Sequence, residues 1–280
     1  MILALESAVI AHGLPRPLNV KIAMELERMA KQMGCDPKTI GIVNGKIRVG
    51  MSTSEIREMG KRDDVLKVGT RDIPVAVALK RWGATTVSAT MRIAHDMGIK
   101  VFATGGIGGV HPGNNWDVSQ DILELAQTNM VVVSAGAKSI LDLKRTMEAL
   151  ETFQVTVIGY KTEEFPAFYT RSSGIEIQRM DSLDEIVKMF RTKERFDIPG
   201  AILVCNPIPE EHEIPGDEFE SWKEKALAEA REKGIEGKDL TPFLLRRIME
   251  LSNGKALEAN ISLLKNNVRL GCEIAKRMEV

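Results

Sequence analysis

The sequence predicts an α/β fold in which a mostly parallel sheet is covered by helices on both faces. Between residues 98 and 205, short apolar runs typical of strands alternate with helix-length amphipathic segments. Crossover connections between parallel strands produce this order. The chain has 280 residues, 44% of them hydrophobic, which is enough to bury a large core. Since no repeat or low-complexity linker interrupts the sequence, we expect residues 1–280 to form a single domain.

The N-terminal segment predicts a strand followed by a helix. Residues 3–10 form a largely apolar run with one carboxylate, Glu6, and this pattern predicts a buried strand ending at a turn near His12. Residues 22–33 then carry apolar side chains at helical spacing, and Gly34 is placed to end that helix.

A β-hairpin and the alternating elements follow. Two apolar runs, 40–43 and 46–49, flank Asn44-Gly45, a dipeptide that favours the primed two-residue turn of a hairpin. Later strands are predicted at 101–104, 130–134, 155–160 and 201–205, and helices at 119–127, 139–151 and 183–191. Three further helices, beginning near Asp217, Thr241 and Lys255, are predicted to form a helical C-terminal portion.

Composition disfavours several classes of partner. Lys and Arg number 38 against 39 Asp and Glu, with no long basic run, so neither nucleic acid nor an anionic membrane surface is expected to bind. A small polar ligand is the better expectation. Three widely spaced cysteines indicate reduced thiols and a cytoplasmic protein. The apolar residues 1–10 are too few to span a bilayer and have no basic leader, so no membrane anchor or signal peptide is expected.

Two glycine-rich segments that follow predicted strands, 104–109 and 134–139, are candidate anion sites. Small residues there allow backbone N–H groups to approach a phosphate or a sugar. Neither segment matches a nucleotide motif, because His111 occupies the third glycine position of the dinucleotide fingerprint and Ala137 separates the glycine from Lys138. Tight strand-to-helix turns without a ligand remain the alternative.

Lys138 and Glu6 are the candidates for acid, base or nucleophilic chemistry. Lys138 follows an apolar strand and is predicted to begin a helix, so burial and the positive helix end would favour its neutral, nucleophilic form. The alternative is a solvated lysine at a helix start. Glu6 lies in an apolar run, where burial would raise its pKa and suit it to general acid catalysis. A frayed terminus with Glu6 in water is the alternative there.

Polar residues near the middle of the chain are candidates for metal or ligand binding. Ser119 is expected to cap a helix whose first turn contains Asp121. The same oxygens suit Mg²⁺ or Mn²⁺, with Asp117 as the better ligand because it precedes the cap. His111 is a candidate ligand contact. Lys67 lies in a compact polar segment that suits either anion binding or a solvated surface.

Long motifs recur in order along the chain. They occupy residues 6–15, 67–72, 83–90, 102–111, 117–121, 134–142, 164–168 and 260–273. Together they resemble the pseudouridine-5'-phosphate glycosidase family, also called indigoidine synthase A-like, over nearly the whole chain. Members of that family reversibly cleave the carbon–carbon glycosidic bond of pseudouridine 5'-phosphate to uracil and ribose 5-phosphate. They use Mn²⁺ and are typically homotrimers. The resemblance thus implies a carbon–oxygen lyase of nucleotide catabolism that acts on a small molecule.

The resemblance also implies roles for individual residues. Lys138 matches the family's covalent nucleophile toward the sugar C1', Glu6 its proton donor and acceptor, and Asp117 its manganese ligand. Substrate contacts are implied for Lys67, Val87, His111, Ser119, Gln120, Asp121 and Asn260. Asn266 and Asn267 are alternatives to Asn260 for the C-terminal asparagine of the family site.

Two other functions fit parts of the pattern. A Schiff-base aldolase acting on a sugar phosphate would share Lys138 and an anion site but would not need a metal at Asp117. A non-catalytic sugar-phosphate binding protein would keep the glycine turns and Lys67 but tolerate replacement of Glu6. Nothing in these residues supports direct pigment synthesis.

Overall fold

The computed structural model describes residues 1–113, 116–235 and 240–279, and it confirms the predicted α/β fold. One sheet contains the strands of the described chain: β1 (Ile2–Leu5), β2 (Asp36–Val43), β3 (Lys46–Val49), β4 (Leu66–Val68), β5 (Gly83–Thr85), β6 (Val101–Ala103), β7 (Val131–Ser134), β8 (Thr156–Tyr160), β9 (Gln178–Met180) and β10 (Ile202–Cys205). Hydrogen-bonded pairs connect them in the order β4-β5-β2-β1-β6-β7-β10-β8-β9, with β3 on β2. Only the pairs β2–β3 and β2–β5 are antiparallel.

The α-helices form two layers on the sheet. They are α1 (Leu18–Gln32), α2 (Thr53–Met59), α3 (Ile73–Ala78), α4 (Val87–Asp96), α5 (Gln120–Gln127), α6 (Leu143–Thr152), α7 (Leu183–Arg195), α8 (Gly216–Glu232), α9 (Leu240–Leu251) and α10 (Lys255–Met278). Helix α10 packs between α1 and α7, whereas α5 packs between α4 and α6. The central strands are buried between these layers, as expected for a parallel sheet. No helix of the described residues is long and apolar enough to cross a membrane.

The hairpin and the first helix form as predicted. Strands β2 and β3 pair in antiparallel register around Asn44 and Gly45, whose φ angles of 49° and 74° are those of a primed turn. Helix α1 ends just before Gly34, whose φ of 78° is left-handed. The three C-terminal helices begin within one residue of their predicted starts.

Two predicted boundaries near the site are wrong. The first strand ends at Leu5, and Val9–Gly13 forms a π-helical turn instead of further strand, so Glu6 lies just beyond the strand. Helix α6 begins at Leu143 rather than at residue 139, because Asp142 caps it by accepting a hydrogen bond from the Arg145 N–H at 3.0 Å. The sequence analysis also predicted no element at β4, β5, β9, α2 or α3, whereas the helix expected around His95 is present as α4.

The length of β2 brings two strand ends together. Its first half pairs in parallel with β1, Leu5 opposite Thr39, and its second half pairs antiparallel with β5, Ala84 opposite Gly41. The carboxyl ends of β1 and β5 therefore meet beside the middle of β2. The Oγ atom of Ser7, just after β1, accepts a hydrogen bond from the Thr85 N–H at 2.9 Å. This junction places the segments after β1, β4 and β5 around one space.

Candidate active site

A cavity of about 480 Å³ opens where these strand ends meet the carboxyl ends of β6 and β7. All ten of the site residues predicted from the sequence line it: Glu6, Lys67, Val87, His111, Asp117, Ser119, Gln120, Asp121, Lys138 and Asn260. The carboxyl end of a parallel sheet is the usual place for a ligand site in such folds. The tertiary structure thus gathers residues that are spread over more than 250 positions of the chain.

Glu6 and Lys138 both line the cavity and lie close enough for their charges to interact. The Thr104 hydroxyl, at the end of β6, donates a short hydrogen bond to Oε1 of Glu6. Burial raises the pKa of Glu6, while the positive charge of Lys138 and the Thr104 hydrogen bond act in the opposite direction. A carboxyl group with a raised pKa keeps its proton to higher pH than usual and can deliver it to a substrate.

Lys138 owes its position to the glycine segment after β6. The Lys138 N–H donates to the carbonyl of Ile107 at 3.1 Å, and its Nζ donates to the carbonyl of Gly106 at 3.0 Å. The segment 135–141 therefore bonds to the neighbouring loop and does not begin a helix. The predicted contribution of a helix end to the reactivity of Lys138 is wrong, since α6 begins five residues later. Lys138 is instead partly buried, and it lies beside Glu6.

His111 and Asp117 lie on paired backbone. Val110 pairs with Val118, and the His111 N–H donates to the Asp117 carbonyl at 2.9 Å. Burial lowers the pKa of His111, although the negative charge of Asp117 opposes that effect. This pairing holds both side chains on the cavity wall.

A metal site in this cavity would use few protein ligands. Among the described residues, no group of three or more His, Cys, Asp or Glu side chains could hold a metal ion. Both carboxylate oxygens of Asp121 accept backbone hydrogen bonds, whereas Asp117 offers its carboxylate on the cavity wall. Since Mg²⁺ and Mn²⁺ bind oxygen donors and Mg²⁺ retains several waters, one carboxylate with water and ligand oxygens is a donor set that fits such an ion.

The first turn of α4 also faces the cavity. Thr86 is the N-cap residue and Val87 the first helical residue. The Thr86 side chain does not cap this helix, and the Ser88 N–H in the first turn donates to the Asp121 carboxylate. The N–H of Val87, which has no acceptor within the helix, can bind an anionic group of a ligand.

The C-terminal asparagines have different positions. Asn260 of α10 lines the cavity. Asn266 donates to the carbonyl of Pro207 at 3.1 Å, outside the cavity wall. Asn267 is fully buried, and its amide donates to the carbonyl of Thr104 at 2.8 Å. Of the three candidates, only Asn260 is placed to contact a ligand, and Asn267 supports the backbone beside Glu6.

Comparison with known proteins gives the family. Residues 1–277 match the family described as indigoidine synthase A like protein. The chain belongs to the indigoidine synthase A-like family. The resemblance drawn from the sequence motifs is therefore confirmed.

Similar proteins of this family have been named and solved. A protein named pseudouridine-5'-phosphate glycosidase from Pseudothermotoga lettingae is 57% identical over 99% of this chain and 98% of its own, and one from Kosmotoga olearia is 58% identical over 98% and 95%. The crystal structure of an indigoidine synthase A-like protein from Thermotoga maritima is 42% identical, covers 100% of this chain and 93% of its own, and has a TM-score of 0.94. Prealnumycin C-glycosynthase in complex with ribulose 5-phosphate is 36% identical, covers 99% and 91%, and has a TM-score of 0.91.

The sequence analysis of this indigoidine synthase A-like protein missed several residues that line the cavity or bond to a residue that lines it. Thr104 was considered only for its backbone, although its hydroxyl bonds to Glu6. Phe168 packs so closely on Gly106 that a Cβ atom there would lie 2.5 Å from its ring. Pro242 and Leu245 of α9 also line the cavity. A hydroxyl after a strand was a usable signal for Thr104, but nothing local in the sequence indicates the contacts of the other three.

Proposed function

We propose that this protein reversibly cleaves the carbon–carbon glycosidic bond of pseudouridine 5'-phosphate to give uracil and ribose 5-phosphate. The observation that carries the proposal is that Glu6 and Lys138 share one cavity and interact electrostatically within it. The reaction needs these two groups together, and the names of the similar proteins agree with it.

A C-glycoside explains the need for both groups. Glycosidases that cut C–O bonds protonate the leaving oxygen, often with paired carboxylates. In pseudouridine 5'-phosphate the leaving atom is C5 of the base, which has no lone pair. The enzyme must therefore protonate a ring carbon and provide an electron sink at C1'. An acid beside an amine, as in this cavity, can do both.

The steps follow from these roles. Nζ of Lys138, in its neutral form, bonds to C1' while the C1'–O4' bond breaks, and one Nζ proton passes to O4', which leaves a neutral secondary amine with a lone pair. Glu6 gives its proton to C5, the C1'–C5 bond breaks and returns its electron pair to the uracil ring, and the nitrogen lone pair completes a C1'=N bond. Water then hydrolyses this protonated imine, which releases ribose 5-phosphate and restores the amine. The reverse sequence joins the two products.

The rest of the cavity suits the two ends of the substrate. We assign the phosphate to the first turn of α4 at Val87, together with Lys67 and Ser119, because N–H groups and a cation bind anions. Asn260, beside Leu264 and Leu245, suits the base, since an amide can pair with the polar edge of a flat ring that rests on apolar residues. His111 and Gln120 line the wall near the sugar.

Asp117 is the proposed ligand of Mn²⁺, which when bound would stabilise developing negative charge and order polar groups. We further propose a homotrimer in the cytoplasm. Exposed apolar side chains on β3 and α3, at Ile47, Val75 and Leu79, are candidates for contacts between copies. Sedimentation of the wild type and of a Val75→Asp, Leu79→Asp double variant tests that assembly, and a monomeric wild type would contradict it.

The formation of pseudouridine 5'-phosphate from uracil and ribose 5-phosphate tests the proposed reaction in the reverse direction. Lys138→Ala is expected to remove turnover, whereas Lys144→Ala, which changes an exposed lysine of α6, retains it. Borohydride should trap a ribose 5-phosphate adduct on Lys138 that mass spectrometry locates. Full activity of Lys138→Ala would reject the nucleophile. A trapped adduct in a protein that does not join uracil to ribose 5-phosphate would indicate an aldolase. If no adduct forms at all, the protein would be a non-catalytic binding protein.

A further inference from the structure

Asp121 is a buried carboxylate that joins two parts of the cavity wall. It is the second residue of α5 and only 4% exposed. Its Oδ1 accepts a hydrogen bond from the Ser88 N–H at 2.9 Å, and its Oδ2 accepts one from the Gly108 N–H at 2.8 Å. Hydrogen bonds from backbone N–H groups to a carboxylate are among the stronger ones in proteins.

The two donors belong to segments with different tasks. Ser88 is in the first turn of α4, where the phosphate is assigned. Gly108 is in the glycine segment after β6, whose Gly106 carbonyl accepts the bond from Lys138. These segments are joined through Asp121 although they come from different strands. A Cβ atom on Gly108 would lie 2.9 Å from Oδ2 of Asp121, so glycine is needed there for this close approach.

We propose that Asp121 is a positioning residue, which locks the first turn of α4 to the glycine segment and so sets the distance from the phosphate to Lys138. The proposal rests on the proposed function and changes the role that the family resemblance implies for Asp121, from substrate contact to action through the main chain. A sugar phosphate held at its phosphate end reaches Lys138 only if this distance is right.

The charge of Asp121 has a second consequence at Glu6. The charged or hydrogen-bonding groups that face Glu6 are Lys138, Thr104, Asp121 and Lys67. Of these, Asp121 alone raises the pKa of Glu6, adding to the effect of burial, and the other three lower it. Loss of the Asp121 charge is therefore expected to make Glu6 lose its proton at lower pH.

Glu124 provides a matched control on the same helix. It is also a buried acid, 3% exposed, but its oxygens bond to the hydroxyls of Thr128 and Thr70 and to Arg92. It does not line the cavity. Glu124→Gln therefore removes a buried charge without touching the connection between α4 and the glycine segment.

The test compares Asp121→Asn with Glu124→Gln in the full-length protein with Mn²⁺ present. Asparagine has one acceptor oxygen, so one of the two backbone bonds is lost. We expect the Kd for ribose 5-phosphate, measured by calorimetry without uracil, to rise at least tenfold, while the KM for uracil changes less than twofold. The limb of the pH–activity profile that reports the ionisation of Glu6 should move to lower pH. Glu124→Gln should lower the Tm but leave the Kd and the pH profile unchanged.

A second pair of variants keeps the test decisive if Asp121→Asn does not fold. Ser88→Pro removes the donor N–H at a position in the first turn where proline is tolerated, and Ser88→Ala controls for the lost hydroxyl. Ser88→Pro should raise the Kd for ribose 5-phosphate relative to Ser88→Ala, without moving the pH profile, because Asp121 keeps its charge.

Three outcomes would overturn the inference. One is a wild-type Kd and pH profile in Asp121→Asn. Another is that Glu124→Gln raises the Kd and shifts the pH profile as much as Asp121→Asn does. The last is that Ser88→Pro and Ser88→Ala have the same Kd for ribose 5-phosphate. A wild type that binds ribose 5-phosphate but makes no product would reject the proposed reaction while leaving the comparison of Kd values valid. A wild type that does not bind ribose 5-phosphate would reject both.

Discussion

The hydroxyl of Thr104 donates a hydrogen bond to the carboxylate of Glu6, although 98 positions separate the two residues. Each residue directly follows its strand, Glu6 after β1 and Thr104 after β6, and these strands are parallel neighbours. The adjacent strand β7 ends at Ser134, four residues before Lys138. The ends of three adjacent strands thus bring together the proposed acid, the hydroxyl group that lowers the pKa of that acid, and the proposed nucleophilic amine.

The first prediction concerns this hydrogen bond. Thr104→Val keeps the side-chain volume but removes the donor, and a hydrogen bond to a charged group is worth about 1.5–3 kcal/mol. Because the bond lowers the pKa of Glu6, its loss should raise that pKa. In the proposed reaction Glu6 acts as an acid in cleavage, so the basic limb of the kcat profile should move to higher pH.

Thr128→Val is the control for that change. The Thr128 hydroxyl also donates to a buried carboxylate, but that carboxylate belongs to Glu124, which unlike Glu6 does not line the cavity. The pH profile of kcat for Thr128→Val should match that of the wild type. A basic limb that stays in place or moves down in Thr104→Val would contradict the assignment of Glu6 as the acid.

The second prediction is that Glu6→Gln removes activity but stabilises the protein. Since burial raises the pKa of Glu6 in the folded state, its ionised form destabilises the fold as pH rises through that pKa. A neutral isostere avoids this cost. We expect at least a 100-fold loss of turnover, with a Tm above that of the wild type at pH 8 and a difference that shrinks toward pH 4.

Glu148→Gln, at an exposed position of α6, provides the comparison. It should change neither the turnover nor the pH dependence of the Tm. If Glu6→Gln were less stable than the wild type at pH 8, the favourable contacts of Glu6 would outweigh the cost of burying its charge. That result would contradict the prediction.

The third prediction separates Asn260 from Asn267. Asn260→Ala should raise the KM for uracil severalfold with little change in Tm, because Asn260 lines the cavity. Asn267→Ala leaves buried groups without a partner, including the amide of Asn206, and should cost about 1–3 kcal/mol of unfolding free energy. Thermal melts and initial rates measure both, and a reversal of the two effects would contradict the assignment.

The fourth prediction concerns the metal ligand. Asp117→Asn should weaken the binding of Mn²⁺ at least tenfold, as measured by the paramagnetic resonance signal of unbound Mn²⁺, because this carboxylate on the cavity wall is the proposed ligand. Asp96→Asn, at the exposed end of α4, should bind as the wild type does. Equal affinity in both variants would place the metal elsewhere.

Much of the fold could be predicted because its signals are local. The alternation of strand and helix, the Asn44-Gly45 turn and the stop at Gly34 depend on residues within a few positions of one another. The start of α6 was wrong because Ser139, which could have capped a helix, donates its hydroxyl to the distant carbonyl of Ala167. Strands β4 and β5 have three residues each, too few to give a periodic pattern.

The sequence by itself determined the class of fold, the family and the set of candidate site residues, because its motifs are long and ordered. Tertiary structure decided which of these residues act on one another. Glu6 meets Thr104 and Lys138 only because β1, β6 and β7 are parallel neighbours, and the two oxygens of Asp121 meet separate segments only because α5 packs on α4. Such pairings depend on hydrogen bonds and packing between distant parts of the chain, and the order of residues in a motif does not encode them.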